Sequence, residues 1–178
     1  VTESGRAGLC VFGQSRHRSG YDHDSDGFTE LPVINSQSVG MRSFFRTGAY
    51  SRITAQYHHI NEFRRGGDML DRPPHEAQVA EQIDHSIDGG SLSFDISSPD
   101  RRNRFNTYVS FQNTARKSYY GSKQDPDAYG TTHDLTVAAG MQYIHEFRKL
   151  LFMPSELTFG TEYSYDDLGD RSVGYDIH

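Results

Sequence analysis

The residues best able to do chemistry are three aspartates that alternate along one short segment. Asp22, Asp24 and Asp26 are followed by Gly27, the order of the first half of an EF-hand calcium loop. Calcium binds about six to eight oxygen ligands, so clustered carboxylates suit it. The position of the EF-hand's last glutamate is a valine here, which leaves the loop incomplete. The segment therefore predicts either a solvated acidic turn or a calcium site with these ligands: Asp22, Asp24, Asp26 and Glu30.

A second group of residues has side chains suited to binding a ligand. Paired arginines before two glycines present guanidinium groups to an anionic ligand or to lipid phosphates, or simply anchor the chain at a membrane interface. Adjacent tyrosines offer stacking surfaces, or belong to an aromatic belt. A histidine in a Pro-Pro-His-Glu segment is either a ligand contact or plainly exposed. The candidate substrate-binding residues are Arg64, Arg65, His75, Tyr119 and Tyr120.

No catalytic set is found in the sequence. The chain has one cysteine, Cys10, and neither a Gly-x-Ser-x-Gly segment nor a spacing that groups Ser, His and Asp. His58 and His59 are adjacent, so in a strand they point to opposite faces and cannot chelate one ion. The net charge of -6 does not favour nucleic-acid binding. We therefore expect neither an enzyme nor a nucleic-acid-binding protein.

These candidates must be positioned by strands, because the composition and the spacing of apolar residues both favour an all-β fold. The 178 residues include 17 glycines and 22 aromatic residues (Tyr 11, Phe 11), with a mean hydropathy of -0.73. Apolar residues alternate with polar ones at the period of two that half-buried strands require. Seven strands are predicted, at about 7–16, 37–46, 51–63, 89–97, 104–116, 134–147 and 156–165.

The connections between these strands alternate in length and in charge. Long ones at 17–36, 64–88 and 117–133 carry acidic residues, among them Asp22, Asp24, Asp26, Glu30, Asp68, Asp71, Glu76, Glu81 and Asp84. Short ones lie at 47–50, 98–103 and 149–155, and basic residues surround them: Arg46, Arg101, Arg102, Arg104, Arg148 and Lys149. In an antiparallel meander all long loops leave one end of the sheet, as in outer-membrane barrels.

Alternation also predicts which residues share a face of the sheet. The apolar face is expected to contain Ile53, Leu92, Phe94, Phe105, Val109, Phe111, Leu135, Val137, Leu157 and Phe159, with Thr54, Gln56, Ser110 and Gln142 opposite. Strands of about ten residues suit a tilted bilayer span. Tyr57, Phe111 and Tyr143 fall towards predicted strand ends, where an aromatic girdle lies. The alternation alone fits a soluble β-sandwich as well.

Five segments resemble loops of Bacteroidetes-type TonB-dependent outer-membrane receptors, which are similar to vitamin B12 and siderophore receptors. They are YDHDSDGFTELP at 21–32, EFRRGGD at 62–68, PHE at 74–76, KSYYG at 117–121 and EYSY at 162–165. They follow the family's order over nearly the whole chain. The resemblance implies an up-and-down transmembrane barrel of about 22 strands, a plug domain, and energy from the TonB–ExbB–ExbD system. Calcium-ordered outer loops in the vitamin B12 receptors favour the metal interpretation of the acidic segment.

The resemblance covers the barrel wall alone. Residues 1–178 are expected to be a partial barrel domain of about seven strands, with the plug domain, the TonB box and the remaining strands outside the sequence. The expected function is uptake of a corrinoid, a ferric siderophore or haem at the outer membrane, in contact with lipid and lipopolysaccharide. The alternative function is a soluble β-sandwich that acts as a surface binding or adhesion module.

Overall fold

The computed structural model describes residues 2, 4–150 and 152–172. It contains one seven-stranded sheet, and every pair is antiparallel between neighbours in sequence. The strands are β1 Ala7–Arg18, β2 Thr29–Gly48, β3 Ser51–Gly67, β4 Val79–Ser97, β5 Asn103–Ser122, β6 Tyr129–Leu150 and β7 Met153–Ser172, with a 3-10 helix at Pro74–Glu76. The predicted all-β, up-and-down meander is confirmed. No helix among the described residues has the length and apolarity to cross a membrane.

The connections follow the predicted alternation of length. The long ones, at 19–28, 68–78 and 123–128, leave one end of the sheet, here called the long-loop end. The short ones, at 49–50 and 98–102 and between β6 and β7, leave the other, the short-turn end. Most strands extend further than predicted towards the long-loop end: β4 begins at Val79 and not near 89. The apolar alternation stops before these extensions begin, so it could not mark them.

The sequence of segment 76–83 is compatible with a short helical turn or with an extension of the fourth strand, and the structure shows the extension. The 3-10 helix Pro74–Glu76 ends as the segment begins, and β4 occupies 79–83.

The register places all ten predicted apolar-face residues on one side of the sheet. Ile53 pairs with Phe94, and Leu92 pairs with Val109, so each pair shares a face. Across β5, β6 and β7, Phe105, Tyr143 and Phe159 form one row. We call this side the apolar face. Thr54, Gln56, Ser110 and Gln142 lie on the other side, the polar face, as predicted.

The apolar residues form a band that covers only the half of the sheet nearest the short turns. Leu92 is 50% exposed and Phe159 is 70% exposed, although both are large and apolar. Tyr57 and Phe111 mark the edge of this band on their strands, because the next residues on that face are His59 and Asn113. Since the strands are longer than predicted, these two aromatic residues lie within their strands and not towards the ends.

A small core lies at the long-loop end of the apolar face. Ala77, Ala80 and Tyr119 are buried there, and Ala128 packs against them. Gly67 is essential to the close approach of β3 and β4 at this point. Its φ of +102° favours glycine, and a Cβ would lie 2.0 Å from the carbonyl oxygen of Val79. The core therefore holds the 68–78 and 123–128 connections against the sheet.

Candidate functional site

The β1–β2 connection brings the four predicted metal-ligating residues together. A bridge between Tyr21 and Leu31 closes its base, with N–O distances of 3.0 and 3.2 Å. One carboxylate oxygen from each of four acidic residues lies within 4.8 Å of the others, and these residues are Asp22, Asp24, Asp26 and Glu30. Three of the four are exposed and Asp22 is half-buried. An ion in solution could therefore reach these carboxylates directly.

Backbone amides hold these carboxylates in place. Asp22 accepts hydrogen bonds from the N–H groups of Ser25 at 2.7 Å and Gly27 at 2.9 Å, which makes a tight turn. Ser25 and Gly27 both have positive φ, at 60° and 93°. Asp26 accepts from the N–H of Phe28 at 2.8 Å. The turn thus positions acidic side chains by local hydrogen bonds alone.

The donor set suits a hard cation such as calcium. The fourth carboxylate, Glu30, accepts one hydrogen bond from the N–H of His23 at 2.7 Å, and like the others it has further lone pairs. A divalent cation would offset the repulsion among four negative groups held within a few ångströms. The residues present therefore fit calcium, which Asp22, Asp24, Asp26 and Glu30 would hold.

The two predicted ligand-binding tyrosines lie on opposite faces of β5. Tyr120 is on the polar face and is 42% exposed. Tyr119 is 1% exposed, and its hydroxyl donates to the carbonyl of Asp125 at 2.8 Å. Its ring meets that of Tyr129 edge to face, with centroids 4.9 Å apart. Only Tyr120 offers a ring to a ligand, while Tyr119 belongs to the core.

The two predicted ligand-binding arginines, Arg64 and Arg65, also lie on opposite faces of their strand. Arg64 lies on the polar face, and its Nε donates to Glu62 at 2.6 Å. Arg65 is 2% exposed and donates to the carbonyls of Gly66 at 2.8 Å and Asp68 at 3.2 Å. Burial lowers the pKa of Arg65 from its usual value. Arg65 therefore organises the β3–β4 connection, and Arg64 alone is placed to meet a ligand.

His75 helps to join the 68–78 connection to the start of β6 and the 123–128 connection before it. Its Nδ1 lies 2.8 Å from the hydroxyl of Tyr129, the first residue of β6. Nearby, the side-chain amide of Gln124 donates to the carbonyl of Glu76 at 3.1 Å. These contacts link the 68–78 and 123–128 connections, so His75 has a structural partner at the site where the sequence suggested ligand contact.

The polar face also contains charged residues that the sequence did not single out. In one row across adjacent strands lie Glu62 of β3, His85 of β4 and Arg116 of β5. Burial lowers the pKa of His85, and the positive charge of Arg116 lowers it further. The alternation of apolar and polar residues could have indicated this row. Isoleucines lie next to these residues on the same face, however, so the alternation did not show that the face is polar.

Near the long-loop end the polar face forms an open cavity of about 810 Å³. Its walls combine aromatic and acidic side chains, among them Phe28, Glu30, Glu81, Tyr120 and Asp127. The cavity includes one residue of the acidic loop, Glu30, and one predicted substrate-binding residue, Tyr120. The polar face thus places the acidic loop and Tyr120 at the same end of the sheet.

At the short-turn end the polar face has paired charges. The Nη2 atom of Arg104 lies 2.7 Å from carboxylate oxygens of both Glu146 and Glu156. Arg52 lies 3.8 Å from Asp95.

Comparison of the chain with protein-family models, curated proteins and solved structures gave no match.

Proposed function

We propose that this chain forms part of the wall of an outer-membrane β-barrel that takes up a scarce nutrient as a TonB-dependent receptor. The observation that carries the proposal is the exposed apolar band on one face of a single antiparallel meander. An exposed apolar surface that continues across several neighbouring strands is uncommon on a soluble monomer. Against lipid, the same band is the surface that a barrel requires.

The dimensions of the band support a membrane span. In β6 it runs from Leu135 to Tyr143, about nine residues, the length that a tilted strand needs to cross the hydrocarbon layer. Aromatic residues occur at both of its margins. Tyr57 and Phe111 lie at the margin facing the long loops, and Phe105 and Tyr143 lie at the margin facing the short turns.

The edges of the sheet support a larger barrel. In the part of the chain that the structure describes, β1 and β7 each pair on one side only. Open edges attract further strands, and a barrel removes them by closure. In the proposed receptor the remaining strands and a plug domain come from the rest of the polypeptide, and TonB–ExbB–ExbD acts through that plug.

The polar face would then line the lumen, and the long loops would face outside. A corrinoid, a ferric siderophore or haem arriving there would meet the acidic loop and Tyr120 first. The residues of the apolar face would contact lipid and lipopolysaccharide. The rival function, a soluble β-sandwich binding module, requires two packed sheets, whereas the described residues form one sheet.

Purification of the full polypeptide that carries this segment tests the proposal. We expect it in the outer-membrane fraction, monodisperse only in detergent, with gel migration that shifts on heating as barrels unfold. Nutrient uptake by cells should stop when TonB is removed. A polypeptide that stays monodisperse in buffer without detergent would contradict the membrane proposal, and uptake without TonB would contradict the receptor proposal alone.

A further inference from the structure

Four of the arginines on the polar face of β1 to β5 lie beyond the level of the apolar band. In two adjacent rows this face has Arg16 and Arg18 on β1, Arg64 on β3 and Arg116 on β5. Glu62 is the acidic residue of the same rows on these strands. We call the four arginines the arginine belt. Four positive charges against one negative charge leave a positive surface there.

The charge of this face reverses on the neighbouring strands. Continuing the same row from Arg116, β6 contributes Thr132 and β7 contributes Asp170. Asp134 and Asp166 lie on the same face a little nearer the short turns. An anion on the polar face would therefore be held over β1 to β5 and repelled from β6 and β7.

The arginines have hydrogen-bonding groups to offer. Arg64 uses its Nε for Glu62, and Arg18 uses its Nε for the carbonyl of Pro32 at 3.1 Å. Arg116 is half-buried, and its buried Nε has no hydrogen-bond partner among the described residues. Because that nitrogen is inaccessible to solvent, an anion could meet only the other nitrogens of the Arg116 guanidinium group.

We infer that Arg64 and Arg116, supported by Arg18 and Arg16, bind a solute that has at least two anionic groups, either carboxylates or phosphates. The inference rests on the proposed transport function and names the class of its substrate. Arg64 and Arg116 lie on strands two steps apart, roughly 10 Å, and arginine side chains are long enough to converge on one molecule across that distance.

His85 lies between the two arginines and makes the binding sensitive to pH. The charged groups facing it are Glu62 and Arg64 from β3 and Arg116 from β5, with Asp84 beside it on β4. A bound anion offsets the positive charge of Arg116 and so raises the pKa of His85. Binding then takes up a proton, and affinity rises as pH falls through the range in which His85 titrates.

Calorimetry of the full polypeptide in detergent micelles tests the inference. Citrate is the carboxylate probe, pyrophosphate is the phosphate probe, and spermidine is the cationic control. Arg64→Gln and Arg116→Gln should each weaken binding of the preferred anion about ten-fold. Arg171→Gln is the matched control, because Arg171 lies near the same end of the sheet on the opposite face.

The outcomes separate the inference from the proposed function. Heat-modifiable migration of every variant shows whether the barrel has formed, and exposed Arg64 provides a variant with little risk to folding. A formed barrel that binds spermidine and neither anion overturns the inference, as does equal anion affinity in wild type and both variants. The transport proposal survives either result, and among the outcomes of this experiment it is contradicted if no barrel forms.

Discussion

Gly67 and the carbonyl of Val79 are so close that no other residue fits at position 67. An added Cβ would lie 2.0 Å from that oxygen, and the φ of +102° is itself unfavourable for a side chain. Gly67→Ala should therefore reduce the free energy of unfolding by more than about 1 kcal/mol. Denaturant unfolding in micelles measures this change.

The neighbouring glycine is the control for this substitution. A Cβ at Gly66 would meet Pro32 at an ordinary 3.5 Å. Gly66→Ala should therefore change the unfolding midpoint little. Equal losses at the two positions would mean that the clash with Val79 does not decide the effect.

Lipid contact can be tested at Val109, in the middle of the apolar band. Val109→Arg should cost about 2–4 kcal/mol if the residue lies near the bilayer midplane, because a charge there loses its hydration. Ser110→Arg is the control on the polar face. Unfolding in liposomes compares the two. If both cost the same small amount, the apolar face does not meet lipid, and 46% exposure of Val109 would then be exposure to water.

The fold was largely predictable, and the alternation explains why. A period of two determines which residues share a face of the sheet, whatever the length of the strand. Leu92 and Val109 were therefore correctly placed on one side from the sequence alone. The strand extensions at the long-loop end were not predicted, because no regular apolar alternation marks them. β4 illustrates this, since its first ten residues alternate weakly and lie beyond the band.

The candidate site was predictable where its residues are close in sequence. The acidic loop is made within a few residues by local hydrogen bonds such as Asp22 to Ser25. The arginine belt joins residues from separate strands, so only the register assembles it. Tyr119 and Tyr120 were assigned together, yet adjacent strand residues point to opposite faces, and a core formed by loops decides which is buried.

Calcium binding by the acidic loop is tested by calorimetry of the full polypeptide. Asp24→Ala and Asp26→Ala should each remove much of the heat of calcium binding, because each substitution removes a charged oxygen ligand from the ion's coordination shell. Asp71→Ala is a control, since Asp71 lies in a different connection. Unfolding of the sheet should be unaffected by chelation, because the loop lies outside its ladder of hydrogen bonds. The same heat in wild type and in both loop variants would indicate a solvated acidic turn.

The adjacent tyrosines should differ sharply on truncation. Tyr119→Ala removes the largest buried side chain of the loop core and should cost about 3 kcal/mol of local stability. Tyr120→Ala should leave stability nearly unchanged and weaken ligand binding if the polar face contacts the ligand. Hydrogen exchange of the 68–78 and 123–128 amides measures the first effect. Similar exchange in the two variants would argue against the core.

The same tyrosine makes the loop core sensitive to alkaline pH. Burial raises the pKa of Tyr119 above the ordinary 10.0, so the folded state favours the neutral phenol. The stability that follows is fully present below the unfolded pKa and is lost as pH rises through the higher folded value. Exchange of the 123–128 amides, corrected for the intrinsic effect of pH, should therefore accelerate above about pH 10.

Tyr119→Phe is the control for this transition. It loses the hydrogen bond to Asp125, which costs about 1 kcal/mol, and it should lack the alkaline transition. A transition that persists in Tyr119→Phe would assign it to another group.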